Sequence, residues 1–176
     1  MDIPEFASRA GSQPAPERRE LAMTLASRGV GRLDDRALAE RSMHLSDVLD
    51  RLDDSLCFAV AVGTPLDPHQ WAKVLAAMGE SDSLGICTSD WSQAYRAAIV
   101  AELTQQPRRR HDSAVSASAI AALQRVSNDQ ERQVFTRAGE GSSTMADFVA
   151  GLRLTYRKLP ELSQSERSAV LRLMVQ

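Results

Sequence analysis

The side chains of this 176-residue chain equipped for catalysis or metal binding are three histidines, two cysteines and a run of aspartates. His44, Asp47, Asp50 and Asp54 recur at near-helical intervals, and carboxylates with an imidazole on neighbouring turns are the raw material of a divalent-cation site. A wheel at 100° per residue argues otherwise. The three aspartates oppose a stripe of Ala37, Leu38, Leu45, Val48, Leu49, Leu52 and Leu56, and no second segment supplies further ligands. Asp47 also stands four residues before Arg51, so the reading is a solvated acidic face with local ion pairing. Cys57 and Cys87 have neither CxxC spacing nor a histidine beside them, which points to two reduced thiols rather than a disulfide framework or a zinc site. Gly139 to Thr144 (GEGSST) has the glycines and hydroxyls of a phosphate loop but no lysine and no preceding strand, so it reads as one helix stopping and the next starting. No serine occupies a G-x-S-x-G elbow, and His44, His69 and His111 fall on a polar face, in a helix first turn and in a basic loop. The sequence therefore assigns no catalytic residue, no cofactor and no metal.

Residues suited to recognition are better represented. Glu102 falls within the stripe of Trp91, Tyr95 and Ala98, where an unpaired carboxylate is costly to bury. Either an arginine meets it, or this face stays open and docks a partner. Trp71 and Trp91 are of the type that fills cores or anchors interfaces. Arg108, Arg109 and Arg110, followed by His111, form the one concentrated positive charge, able to contact phosphates or an acidic protein. No aromatic is interleaved and no recognition helix adjoins them. With 21 Lys and Arg against 23 Asp and Glu, the net charge of −2 creates no general field toward nucleic acid or anionic membrane. The partner-binding candidates are thus Arg108, Arg109, Arg110, Trp91, Tyr95 and Glu102.

The elements that must position these residues are helices. Residues 1–16 combine prolines, a glycine and serines and read as a flexible leader. Pro16 with Glu17 and Glu20 opens a helix of about residues 17–28, stopped at Gly29. A second, strongly amphipathic helix starts near Asp34. Residues 55–62 (SLCFAVAV) are a continuous apolar run that fits strand or buried helix, and Gly63 with Pro65 favours helix. Asp67-Pro68 starts the next, with Trp71, Val74, Leu75 and Met78 on one face; residues 80–87 form a loop, and another helix follows from about residue 89 to Thr104. The polar stretch around Gln105 to Ser113 (QQPRRRHDS) divides a sub-bundle at 17–105 from one at 114–176, with 106–113 as basic linker or loop. Beyond it come an Ala/Ser helix to Val126, a helix capped by Asn128, and a stripe of Met145, Phe148, Val149, Leu152, Tyr156 and Leu159. Ser163 to Glu166 is a capping box for the last helix. The expectation is an all-α fold of seven to eight short helices, plausibly two packed sub-bundles.

Within that last segment, Leu162-Ser163, Glu166-Arg167 and Val170 to Leu173 resemble the opening helix of LuxR-type DNA-binding domains, although no turn and recognition helix follow. Leu159 to Gln176 also resembles the C-terminal part of type III secretion gatekeepers, all-helical regulators that bind other secretion components. Each likeness spans under twenty residues, and a capping box before a Leu/Val stripe produces both, so neither assigns a family. No apolar run reaches the ~18 residues of a membrane span. Nineteen arginines against Lys73 and Lys158, with abundant alanine, point to a GC-rich bacterial genome and a cytoplasmic protein. Without chemistry, and with a balanced charge, the expected function is a non-enzymatic helical interaction module: a regulator, adaptor or secreted-effector fragment that binds another protein. The alternative is a nucleic-acid-binding helical domain that uses Arg108 to Arg110.

Overall fold

A computed structural model describes residues 3–64, 66–80, 87–108 and 113–175, and all regular structure among them is helical. The chain runs through α1 (Pro4–Ala10), α2 (Ala15–Gly29), α3 (Asp35–Arg51), α4 (Asp54–Val62), α5 (Pro68–Glu80), α6 (Cys87–Leu103), α7 (Ser113–Arg125), α8 (Asp129–Gly139), α9 (Met145–Lys158) and α10 (Gln164–Met174). Short 3-10 turns follow α2 (Val30–Arg32) and α9 (Leu159–Glu161). The all-α class is as expected, but ten α-helices stand among the described residues where seven or eight were expected.

One additional helix comes from the supposed leader. Pro4 at the first position, Glu5 in the first turn and Arg9 in the last suit the two ends of α1, and Gly11 ends it at φ +52°. Ile3 and Ala10 are buried and Phe6 packs beside the core, so a helix of only two turns is held by α2 and α6 rather than by its own propensity. The other discrepancy lies at Leu52. The apolar stripe that runs on to Leu56 belongs to two helices, because the Asp53 carboxylate accepts from the Leu56 amide at 2.8 Å and starts α4 afresh. Residues 55–62 are helical as expected, and Gly63 closes α4 in the left-handed conformation at φ +73°.

Helix starts follow their caps closely. Asp34 accepts from Ala37, Asp67 and Gln70 bond reciprocally at the head of α5, and Thr144 with Asp147 does the same for α9. Ser163 with Glu166 forms the expected box, and Asn128 forms another with Glu131. Helix ends are managed differently, by arginines reaching over from other elements. Arg153 of α9 donates to the carbonyls of Leu49 (3.0 Å) and Leu52 (2.5 Å) at the end of α3. Arg132 reaches Gln124 O near the end of α7, Arg167 reaches Leu159 O and Leu162 O, and Arg172 reaches Leu33 O at 2.6 Å. A planar fork of five donors can serve a carbonyl and a carboxylate together, which lysine's single ammonium cannot match.

The buried apolar residues form one continuous cluster. α3 packs on α6, α9 and α10, and α4 on α9, so contacts cross the expected division around 106–113. Leu49, Ile99, Val48, Val74, Val149, Val170 and Cys57 are its most deeply buried side chains. α2 and α6 approach closely at Gly29, where a Cβ would lie 1.8 Å from Ala98 O. Among the described residues no helix is long and apolar enough to cross a membrane.

Candidate functional site: an apolar cleft

The most apolar of the described helices is not fully buried, and it borders the candidate site. A helix apolar on all sides belongs in a core, yet only Leu56 and Cys57 of α4 are buried; Phe58, Ala59 and Val60 are half-buried and Ala61 and Val62 exposed. Val62 retains 49% of its surface. The first half of α4 is held by α9, with Phe58 edge-on to Phe148 at 5.3 Å. Its second half forms one wall of a cleft of about 610 Å³.

Six further helices complete it. α3 contributes Arg41, Leu45 and Leu49, α6 contributes Ala94, Tyr95 and Ala98, α9 contributes Leu152 and Tyr156, and Trp71, Met174 and Val175 also line it. α2 contributes Glu20, Thr24, Ser27 and Arg28, which are exposed, together with Met23 and Ala26. The lining is therefore mostly apolar, with Glu20, Thr24, Ser27 and Arg28 of α2 as its largest group of polar side chains. Two phenols lie within it. Burial pushes the Tyr95 hydroxyl up to about 12, so it stays a neutral donor. Tyr156, also raised by burial, receives a hydrogen bond from Arg41, which works in the opposite direction. Nothing in this lining pairs a nucleophile with a base, and among the described residues no three His, Cys, Asp or Glu side chains gather as metal ligands.

The sequence-derived candidates separate. Tyr95 lines the cleft, whereas Glu102 is 8% exposed and held by Arg32 at 2.6 Å. Arg32 also reaches Gln105 Oε1 and the carbonyl of Gln106, so the carboxylate serves to fix the end of α6 and does not form an open face. The Trp91 backbone belongs to α6, but its side chain lies outside the described set, as do Arg109, Arg110 and residues 81–86 of the loop expected at 80–87, whose ends Glu80 and Cys87 are helical. Arg108 is exposed after α6. The acidic face of α3 is only partly solvated. Asp47 is exposed, but Asp50 pairs with Arg157 at 2.9 Å and Asp54 with Arg153 at 2.7 Å, tying α3 and α4 to α9. Met145, placed by its spacing on the α9 core stripe, is 44% exposed. Arg41 and Val62 were not among the candidates. The available signal was the unbroken apolarity of 55–62, more than one short helix can bury.

Comparison of the chain with family models, with curated proteins and with solved structures finds no match.

Proposed function

We propose that this chain is a non-enzymatic, all-helical interaction module, of the regulator or adaptor kind, that binds another protein through the cleft between α2 and α4. The observation that carries this is the half-exposed apolar end of α4 bordering a cleft of about 610 Å³. Contiguous apolar surface framed by polar residues is the usual signature of a docking site. The arginine bias and reduced-type cysteines support a bacterial cytoplasmic setting.

The test is a photo-crosslinking residue placed at Val62, with another at the exposed Thr136 as control. A partner captured at Val62 alone, identified, purified and shown to bind the parent but not Val62→Glu, is the expected result. Joint replacement of Arg108, Arg109 and Arg110 by alanine should leave that binding intact. Micromolar oligonucleotide binding by the parent, abolished by the triple replacement and weakened by salt, would favour a nucleic-acid function instead.

A further inference from the structure

Resting on that docking reading, we infer that the occupant of the cleft is an amphipathic helix lying antiparallel to α2. It carries an acidic residue near its N-terminus against Arg28 and a basic residue two turns later against Glu20. Three features of the cleft lead there. Its lining is uneven in polarity: α4 adds Ala59, Val60 and Val62, α2 adds Glu20, Thr24, Ser27 and Arg28 beside Met23 and Ala26, and Leu45, Leu49 and Leu152 also line it. An occupant must bury one apolar face against the floor and α4 while offering polar groups to α2 and water, and an amphipathic helix meets both demands through residues at i, i+3, i+4 and i+7.

The second feature is charge. Glu20 and Arg28 are both exposed, and neither has an ion-pair partner among the described residues. They are eight residues apart on one helix, about 12 Å at 1.5 Å per residue. The rim is therefore acidic at one end and basic at the other, and the matching charges on an occupant stand about two helical turns apart. The third feature sets direction. A helix favours acid at its N-terminus and base at its C-terminus, so the occupant's N-terminus lies beside Arg28, at the C-terminal end of α2. A short anionic amphiphile would satisfy the apolar floor and could pair with Arg28, but would leave Glu20 unmatched.

The experiment uses the full chain and three labelled, hydrocarbon-stapled peptides with the same leucine face. They differ only at two rim positions seven residues apart: Glu then Lys, Lys then Glu, or Gln at both. By fluorescence anisotropy at low salt the first should bind about tenfold tighter than the second, as expected of two exposed ion pairs. The difference should vanish at 1 M salt, where the screening length is ~3 Å. In the double variant Glu20→Lys with Arg28→Glu, whose sites are exposed, the order of the two charged peptides should invert. Equal binding of all three peptides would overturn the charge register and leave the docking reading standing. If no peptide binds, the helical occupant is refuted, and decanoate binding lost in Val62→Glu would identify a small amphiphile instead. A parent dimer that Val62→Glu dissociates in sedimentation would likewise refute it, with a second copy as the occupant.

Discussion

Replacing Arg153 with methionine removes the tie between α3, α4 and α9 while keeping most of the side chain's apolar stem. The guanidinium donates to Leu49 O, Leu52 O and Asp54 Oδ1, with a side chain 20% exposed. Each bond to a carbonyl at the end of α3 is worth about 1 to 1.5 kcal/mol, because the donor is charged and the acceptor has lost its helical partner. The Asp54 carboxylate is 47% exposed, so its pairing contributes under about 1 kcal/mol after solvent screening. The expected loss is about 2 to 4 kcal/mol, read as a lower urea midpoint at unchanged slope. For a chain of this size a loss of ~3 kcal/mol lowers the melting temperature by roughly 6 to 12 °C. Arg153→Lys keeps the charge but not the fork, and should recover less than half of the loss. Asp54→Asn alone should cost under ~1 kcal/mol. If Arg153→Met lies within ~0.5 kcal/mol of the parent, or if lysine restores full stability, arginine capping of α3 does not stabilise this fold.

Gly29→Ala places a methyl group against the backbone of Ala98, which cannot rotate away, and should cost about 1 to 3 kcal/mol in chemical denaturation; parental stability would show that α2 and α6 separate freely. Val149→Ala, at a fully buried site, should cost about 2 kcal/mol, whereas Leu152→Ala, half-buried on the cleft wall, should cost clearly less and weaken binding at the cleft more. Acid should destabilise through the capping boxes. Asp147 and Glu166 are held below the ordinary carboxylate range chiefly by the cap hydroxyls of Thr144 and Ser163, and Glu131 by the Asn128 amide. A depressed carboxylate stabilises fully above its unfolded value and loses that contribution as pH falls through its folded value. Melting temperature should therefore fall from about pH 4.5 downward, the ordinary glutamate value, and the joint Glu131→Gln and Glu166→Gln variant should flatten that acid limb. An unchanged acid limb in the double variant would locate the acid sensitivity elsewhere.

Sequence alone determined the helical class and most helix starts, because a cap is a local contract. Asp34, Asp67, Asn128 and Ser163 each bond an amide three residues on, and a four-residue window contains both partners. The helicity of 55–62 was legible in the same way from Gly63. Tertiary structure decided what local windows cannot contain. α1 depends on α2 and α6 to bury Ile3 and Ala10, so its short span looked like a leader. Asp50 and Asp54 read from sequence as a solvated face, and Glu102 as a carboxylate to be met by an unspecified arginine or left on an open face, because their arginine partners stand 107, 99 and 70 residues away. The apolar end of α4 borders a cleft only because residues of α2, α3, α6 and α9 line it too, and the spacing between two helices is set by packing, as at Gly29 and Ala98, rather than by the composition of either one.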